Sequence, residues 1–189
     1  YFPLELGEYQ IVLLDTGVKH ALASSEYNVR RKECEKGIEL LQQKYPGIVS
    51  LREASIEMLN ECIDPGSIVY NRCKYVIEEI ERTQAATLDL ASNNLIDFGK
   101  KMFATHEGLS KLYEVSCPEL DLLISEVEGN ENVIGARMMG GGFGGCTINL
   151  VNAAVVGEFI EQLTTRYQLQ TGKQLSAYLV KIEDGARKV

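Results

Sequence analysis

Residues 132–151 read Asn-Val-Ile-Gly-Ala-Arg-Met-Met-Gly-Gly-Gly-Phe-Gly-Gly-Cys-Thr-Ile-Asn-Leu-Val. The flanks, 132–139 and 146–151, are short, apolar and partly β-branched, which predicts two strands. Between them, six of the eleven residues from Gly135 to Gly145 are glycine. Glycine at that density weakens any regular element through backbone entropy. It makes sense where the chain takes positive φ, approaches another group closely, or offers successive N–H groups to an anion. Gly140 to Gly145 formally fits G-x-G-x-x-G. That dinucleotide fingerprint must open a helix, and here Cys146-Thr147-Ile148-Asn149-Leu150-Val151 alternates like a strand. No Gly-Lys-Ser/Thr follows, so a Walker A loop is excluded too. The stretch is two strands joined by a glycine-rich loop.

Outward from this hairpin, residues 10–16 predict another strand, ended by Asp15 and Gly17. A helix follows, with Ser24 or Ser25 able to cap it and Pro46-Gly47 ending it. Its inward stripe is read as Tyr27, Arg31, Cys34, Ile38, Leu41 and Tyr45. A short helix is expected after Ser55, then a long one opened by Asp64-Pro65. The long helix carries the stripe Val69, Cys73, Val76, Ile77, Ile80, Leu88, Ala91 and breaks at Asn93-Asn94. Further helices are expected from Leu95 to Tyr113 and from a capping box at Ser116-Cys117-Pro118-Glu119. Val156, Phe159, Ile160, Leu163 and Tyr167 mark the last helix, and 176–182 the last strand. With the helical block counted as one connection, the order is β-α-β-β-α-β. The expected fold class is α+β: a split βαβ, ferredoxin-like four-stranded sheet with extra helices.

The chain has 189 residues, a length for about one domain of roughly 150 residues. Its 19 Lys and Arg against 27 Asp and Glu give a net charge of −8, poor for binding nucleic acid through phosphates. No apolar run approaches the roughly 18 residues of a membrane span. The five cysteines are widely spaced without Cys-x-x-Cys, which argues for a reducing, cytoplasmic setting rather than a disulfide frame or zinc site. With only two histidines, His20 and His106, metal sites built on several His are excluded, and no metal ligand is assigned. The first residues, Tyr1-Phe2-Pro3, contain no initiator Met, and the expectation is a piece of a longer chain.

Ser24-Ser25-Glu26-Tyr27-Asn28-Val29-Arg30-Arg31 is a dense polar cluster at a helix start. An Arg on the apolar stripe must be paired or reach into a site. Tyr27 there can bury its ring and offer its hydroxyl to a ligand or a neighbour. His106 is expected to be a hydrogen-bonded structural residue.

Three stretches together resemble the galactokinases of the GHMP kinase family: 18–35 (VKHALASSEYNVRRKECE), 105–123 (THEGLSKLYEVSCPELDLL) and 135–151 (GARMMGGGFGGCTINLV). The match runs over essentially the whole chain. It implies a GHMP kinase C-terminal domain over residues 1–189 and an enzyme that transfers the ATP γ-phosphoryl group to the 1-hydroxyl of galactose. It also implies that an N-terminal domain of the same enzyme holds most of the ATP and Mg²⁺ contacts and the catalytic residues, so this chain alone is expected to be inactive. Tyr27 matches the tyrosine that hydrogen-bonds the sugar. Gly140, Gly141, Gly142, Phe143, Gly144 and Gly145 match the loop that packs beside the phosphate loop, and Lys19 a basic position near the nucleotide. One departure stands out: Met139 occupies a position where the family usually has Thr. Galactose, ATP and the N-terminal domain are thus the implied partners, with neither nucleic acid nor membrane. The other class open to this pattern is a small-molecule-sensing or protein-interaction α+β module without catalysis.

Overall fold

The computed structural model describes residues 4–18 and 23–182. Four strands, β1 (Tyr9–Asp15), β2 (Val133–Met138), β3 (Cys146–Asn152) and β4 (Ser176–Val180), form one sheet in the order β2-β3-β1-β4. Every neighbouring pair is antiparallel. Six helices accompany them: α1 (Ala23–Gln42), α2 (Ile56–Cys62), α3 (Ile68–Ala91), α4 (Leu95–Lys111), α5 (Pro118–Val127) and α6 (Val156–Thr171). This is the expected split βαβ sheet, with α1 to α5 inserted between its first two strands.

Central β1 is covered on both faces, which explains its unbroken apolar run. Val12 and Leu14 turn toward a core built with Leu123, Ile124, Phe159 and Leu163 of α5 and α6. Ile11 faces the opposite way, onto Met102 of α4 and Leu150 of β3. A second cluster, with Leu41, Leu59, Cys73 and Ile77 at its centre, joins α1, α2 and α3. The capping chemistry is local: Ser55, Ser67 and Asn94 each accept a backbone N–H at the starts of α2, α3 and α4.

Edge strand β2 is sealed by α4. Gly99 and Gly135 let the two backbones meet: a Cβ on Gly99 would lie 1.9 Å from the Ile134 carbonyl oxygen. Seven residues along α4, the His106 ring accepts the Met138 N–H at 3.2 Å through Nδ1. That bond assigns the ring proton to Nε2, which donates to Asp121 at 3.1 Å. His106 is 5% exposed and structural, as expected from the sequence.

Several local expectations are corrected. The cap of α3 is Ser67, because Asp64 closes a tight turn onto the Gly66 N–H instead. Helix α5 is capped at Cys117 with Pro118 first, and the Ser116 hydroxyl goes to Asp121 at 2.6 Å rather than to the helix end. Leu88 is 71% exposed: α3 outruns the neighbours that cover its earlier stripe. Helix α4 ends at Lys111, before Tyr113, and α1 is already under way at Ala23, ahead of Ser25.

Candidate functional site

The glycine-rich loop leaves β2 at Met139, whose N–H donates to the Cys146 carbonyl at 2.9 Å and closes the hairpin. Five of the next six residues have positive φ: Gly140 (81°), Gly142 (85°), Phe143 (60°), Gly144 (131°) and Gly145 (83°). Side chains are strained in that region, so glycine at four of these positions is a backbone requirement. Three backbone anchors hold the loop, one of them the Gly145 carbonyl, which accepts the Thr16 N–H at 3.0 Å. The Phe143 N–H donates to the Val115 carbonyl at 2.7 Å, and the Gly145 N–H to the Val18 carbonyl at 3.2 Å. A Cβ on Gly142 would lie 2.0 Å from the Val115 oxygen, and one on Gly144 would lie 2.4 Å from the Val18 oxygen. The loop is wedged between two chain segments. Gly140 and Gly141, by contrast, are exposed and face open space.

The Val115 segment is itself held from the helical side. Arg30 of α1 donates through Nε to the Tyr113 carbonyl at 2.8 Å and through Nη2 to the Glu114 carbonyl at 2.9 Å. Its guanidinium also lies 6.0 Å from the centre of the Phe143 ring. Arg72 of α3, 2% exposed, bonds the Leu112 carbonyl and pairs with Glu33 at 2.8 Å and Glu114 at 2.7 Å. Burial alone would lower the Arg72 pKa, but these two carboxylates outweigh it and hold the charge in place. Glu114 takes φ of 53°, so the two arginines brace a backbone kink directly before Val115.

Arg30 and Arg72 were not singled out in the sequence. The expected inward arginine was Arg31, but Arg31 is surface-exposed and pairs with Glu35 at 2.9 Å along its own helix. The buried face of α1 runs through Arg30, Gly37 and Leu41, one residue earlier at its start than the stripe through Tyr27. The sequence signal was Gly37, whose missing side chain makes room for Cys73 of α3. Tyr27 is 51% exposed, so its ring is not embedded as expected. It lies one turn ahead of Arg30 on the same helix. α1 therefore brings Tyr27 to the end of the domain where Arg30 meets the glycine loop. Lys19 lies outside the described residues.

Asp121 gathers His106, Ser110 (3.0 Å) and Ser116 (2.6 Å). Burial opposes its ionisation, but these three hydrogen bonds prevail and hold its carboxyl below the usual carboxylate range. Among the described residues no group of three or more His, Cys, Asp or Glu is arranged to hold a metal ion. All five cysteines are free thiols, and no helix among the described residues is long and apolar enough to cross a membrane.

Residues 77–169 match the family model described as GHMP kinases C terminal. The chain is 39% identical over 189 residues to galactokinase of Thermotoga maritima, covering all of this chain and 52% of the relative. It is 40% identical over 192 residues to galactokinase of Clostridium acetobutylicum, covering 49% of that protein. It thus spans about half the length of the curated relatives it matches. Its structure superposes on that of Lactococcus lactis galactokinase complexed with galactose with a TM-score of 0.90 and 34% identity, over 99% of this chain and 48% of the other. The L. major mevalonate kinase in complex with R-mevalonate shares the fold alone, with a TM-score of 0.51 at 18% identity. Fold, glycine loop and whole-chain similarity agree: residues 77–169 form a GHMP kinase C-terminal domain, and the chain along its whole length is similar to the C-terminal half of galactokinases.

Proposed function

We propose that this chain forms the C-terminal half of an ATP-dependent kinase that phosphorylates galactose at its 1-hydroxyl. Similarity to galactokinases along the entire chain carries the reading. In phosphoryl transfer the protein mainly positions its reactants and stabilises charge. This half supplies positioning. Tyr27 presents a half-exposed phenol to a sugar hydroxyl. The loop from Gly140 to Gly145, rigidly anchored at Phe143 and Gly145, packs beside the phosphate-binding loop of the N-terminal half. Lys19 is the basic residue that the resemblance assigns to the nucleotide. ATP is the co-substrate. Mg²⁺, which neutralises phosphate charge when bound, is held by the other half. The free thiols suit a cytoplasmic setting.

The test compares the 189-residue chain with the complete enzyme, each given ATP, Mg²⁺ and a panel of monosaccharides. The complete enzyme should phosphorylate galactose, at roughly 1–100 turnovers per second, and the 189-residue chain should show none. Kinase turnover by the isolated chain, or sugar binding by the complete protein without turnover, would overturn the assignment.

A further inference from the structure

A cleft of about 370 Å³ opens between α3 and α4 beside Gly140. Phe98, Met102 and Ala86 give it apolar wall, and Arg82, Lys101 and Arg137 contribute three cations against the single carboxylate of Glu79. Glu79 is already engaged, by Arg82 and by the Thr105 hydroxyl at 2.9 Å. Lys101 pairs with Asp89 at 2.6 Å. Arg137 is different. Among the described residues it has no carboxylate within 4.0 Å, and its one side-chain bond, from Nη1 to the Met138 carbonyl at 3.1 Å, leaves most of its fork unused.

Tyr75 adds a second unmet group. It is 7% exposed, with its ring packed on Gly108 and 5.0 Å from the Tyr113 ring. Its hydroxyl has no hydrogen-bond partner among the described residues. Its oxygen is not sealed from solvent, so an occupant can accept its hydrogen bond without displacing an internal partner. Burial also pushes the phenol pKa up, so the hydroxyl remains a donor. Tyr75 lines the cleft together with Glu79, Arg82 and Arg137.

We propose that this cleft binds a small organic oxyanion, its head held by Arg137 and the Tyr75 hydroxyl and its apolar part resting on Phe98 and Met102. An arginine fork matches the paired oxygens of phosphate and carboxylate alike. The reading is independent of the reaction assigned to the chain.

Inorganic phosphate, phenyl phosphate and benzoate, titrated into the protein by calorimetry at constant ionic strength, test it. Phenyl phosphate should bind at least threefold more tightly than inorganic phosphate, because only it covers the apolar wall. Benzoate binding comparably would support the site and mark carboxylates as its ligands. Arg137→Gln should weaken phenyl phosphate binding at least tenfold, and Tyr75→Phe threefold to tenfold without lowering Tm, since that hydroxyl has no internal bond to lose. Tyr75→Phe decides the matter if Arg137→Gln fails to fold. Arg166→Gln, a charge change on the exposed face of α6, should leave binding unchanged. No binding of any probe at millimolar concentration, or affinity indifferent to Tyr75→Phe and equally sensitive to Arg166→Gln, overturns the proposal.

Discussion

Arg30 lies with its guanidinium 6.0 Å from the Phe143 ring centre while its nitrogens hold the carbonyls of Tyr113 and Glu114. One side chain thus touches the glycine loop directly and braces the segment whose next carbonyl, that of Val115, anchors the same loop. Arg30→Gln keeps some polar reach but loses the charge and the fork. Each charge-assisted bond is worth about 1.5–3 kcal/mol, so Tm should fall by roughly 5–10 °C. In the complete enzyme, assayed well below that Tm, kcat should fall while the galactose KM moves less if, as proposed, the loop packs beside the phosphate-binding loop. A lower Tm with unaltered kcat would mean that the loop holds its position without Arg30.

The glycines of the loop divide into two groups. At Gly142 and Gly144 an added Cβ meets a carbonyl oxygen at 2.0 and 2.4 Å, and both residues have positive φ. At Gly141 nothing lies within 4 Å. Gly142→Val and Gly144→Val combine steric clash with backbone strain of about 1–3 kcal/mol. Both should damage activity and stability, whereas Gly141→Ala should leave Tm within about 1 °C, as surface changes usually do. Equal tolerance at all three positions, in paired melting and kinetic measurements, would reduce the loop to a passive connection.

Asp121 links α4, α5 and the loop between them through His106, Ser110 and Ser116. Its folded-state pKa lies below the ordinary value near 3.9, so it contributes stability above that pH. The contribution is lost as pH falls through the lowered folded value. Asp121→Asn should therefore be destabilised near neutral pH, and the difference should shrink steadily below about pH 4. Urea midpoints measured along that pH series check the sign. A gap that stays constant down to about pH 2 would assign the effect to packing rather than charge.

The periodic elements were legible because each rests on short-range chemistry. Alternation marked the strands, 3.6-residue stripes marked the helices, and the glycine run located the hairpin. The brace behind the loop was not legible. Arg30 and Arg72 come from different helices and meet carbonyls some 40 to 80 residues away, which no local pattern encodes. Arg31 looked the better inward candidate because it fell on the extended stripe, yet a one-residue offset at the start of α1 turned it to solvent. The caps failed for a related reason: Asp64 and Ser116 each had a competing partner, a tight turn and the Asp121 carboxylate.

Tyr27 provides the sharpest test of the sugar-binding assignment. At 51% exposure its phenol contributes little to the fold, and its ring sits one helical turn before Arg30 at the glycine-loop end of α1. Tyr27→Phe deletes one oxygen and keeps the ring. A neutral hydrogen bond is worth about 0.5–1.5 kcal/mol, so the galactose KM of the complete enzyme should rise roughly threefold to tenfold. The ATP KM should hold, and Tm should stay within about 1 °C, as expected for an exposed position. A rise in the ATP KM instead would move Tyr27 to the nucleotide side. A fall in Tm with both KM values intact would make it a structural residue, and the shared polar segment around it would then carry no substrate contact through this side chain.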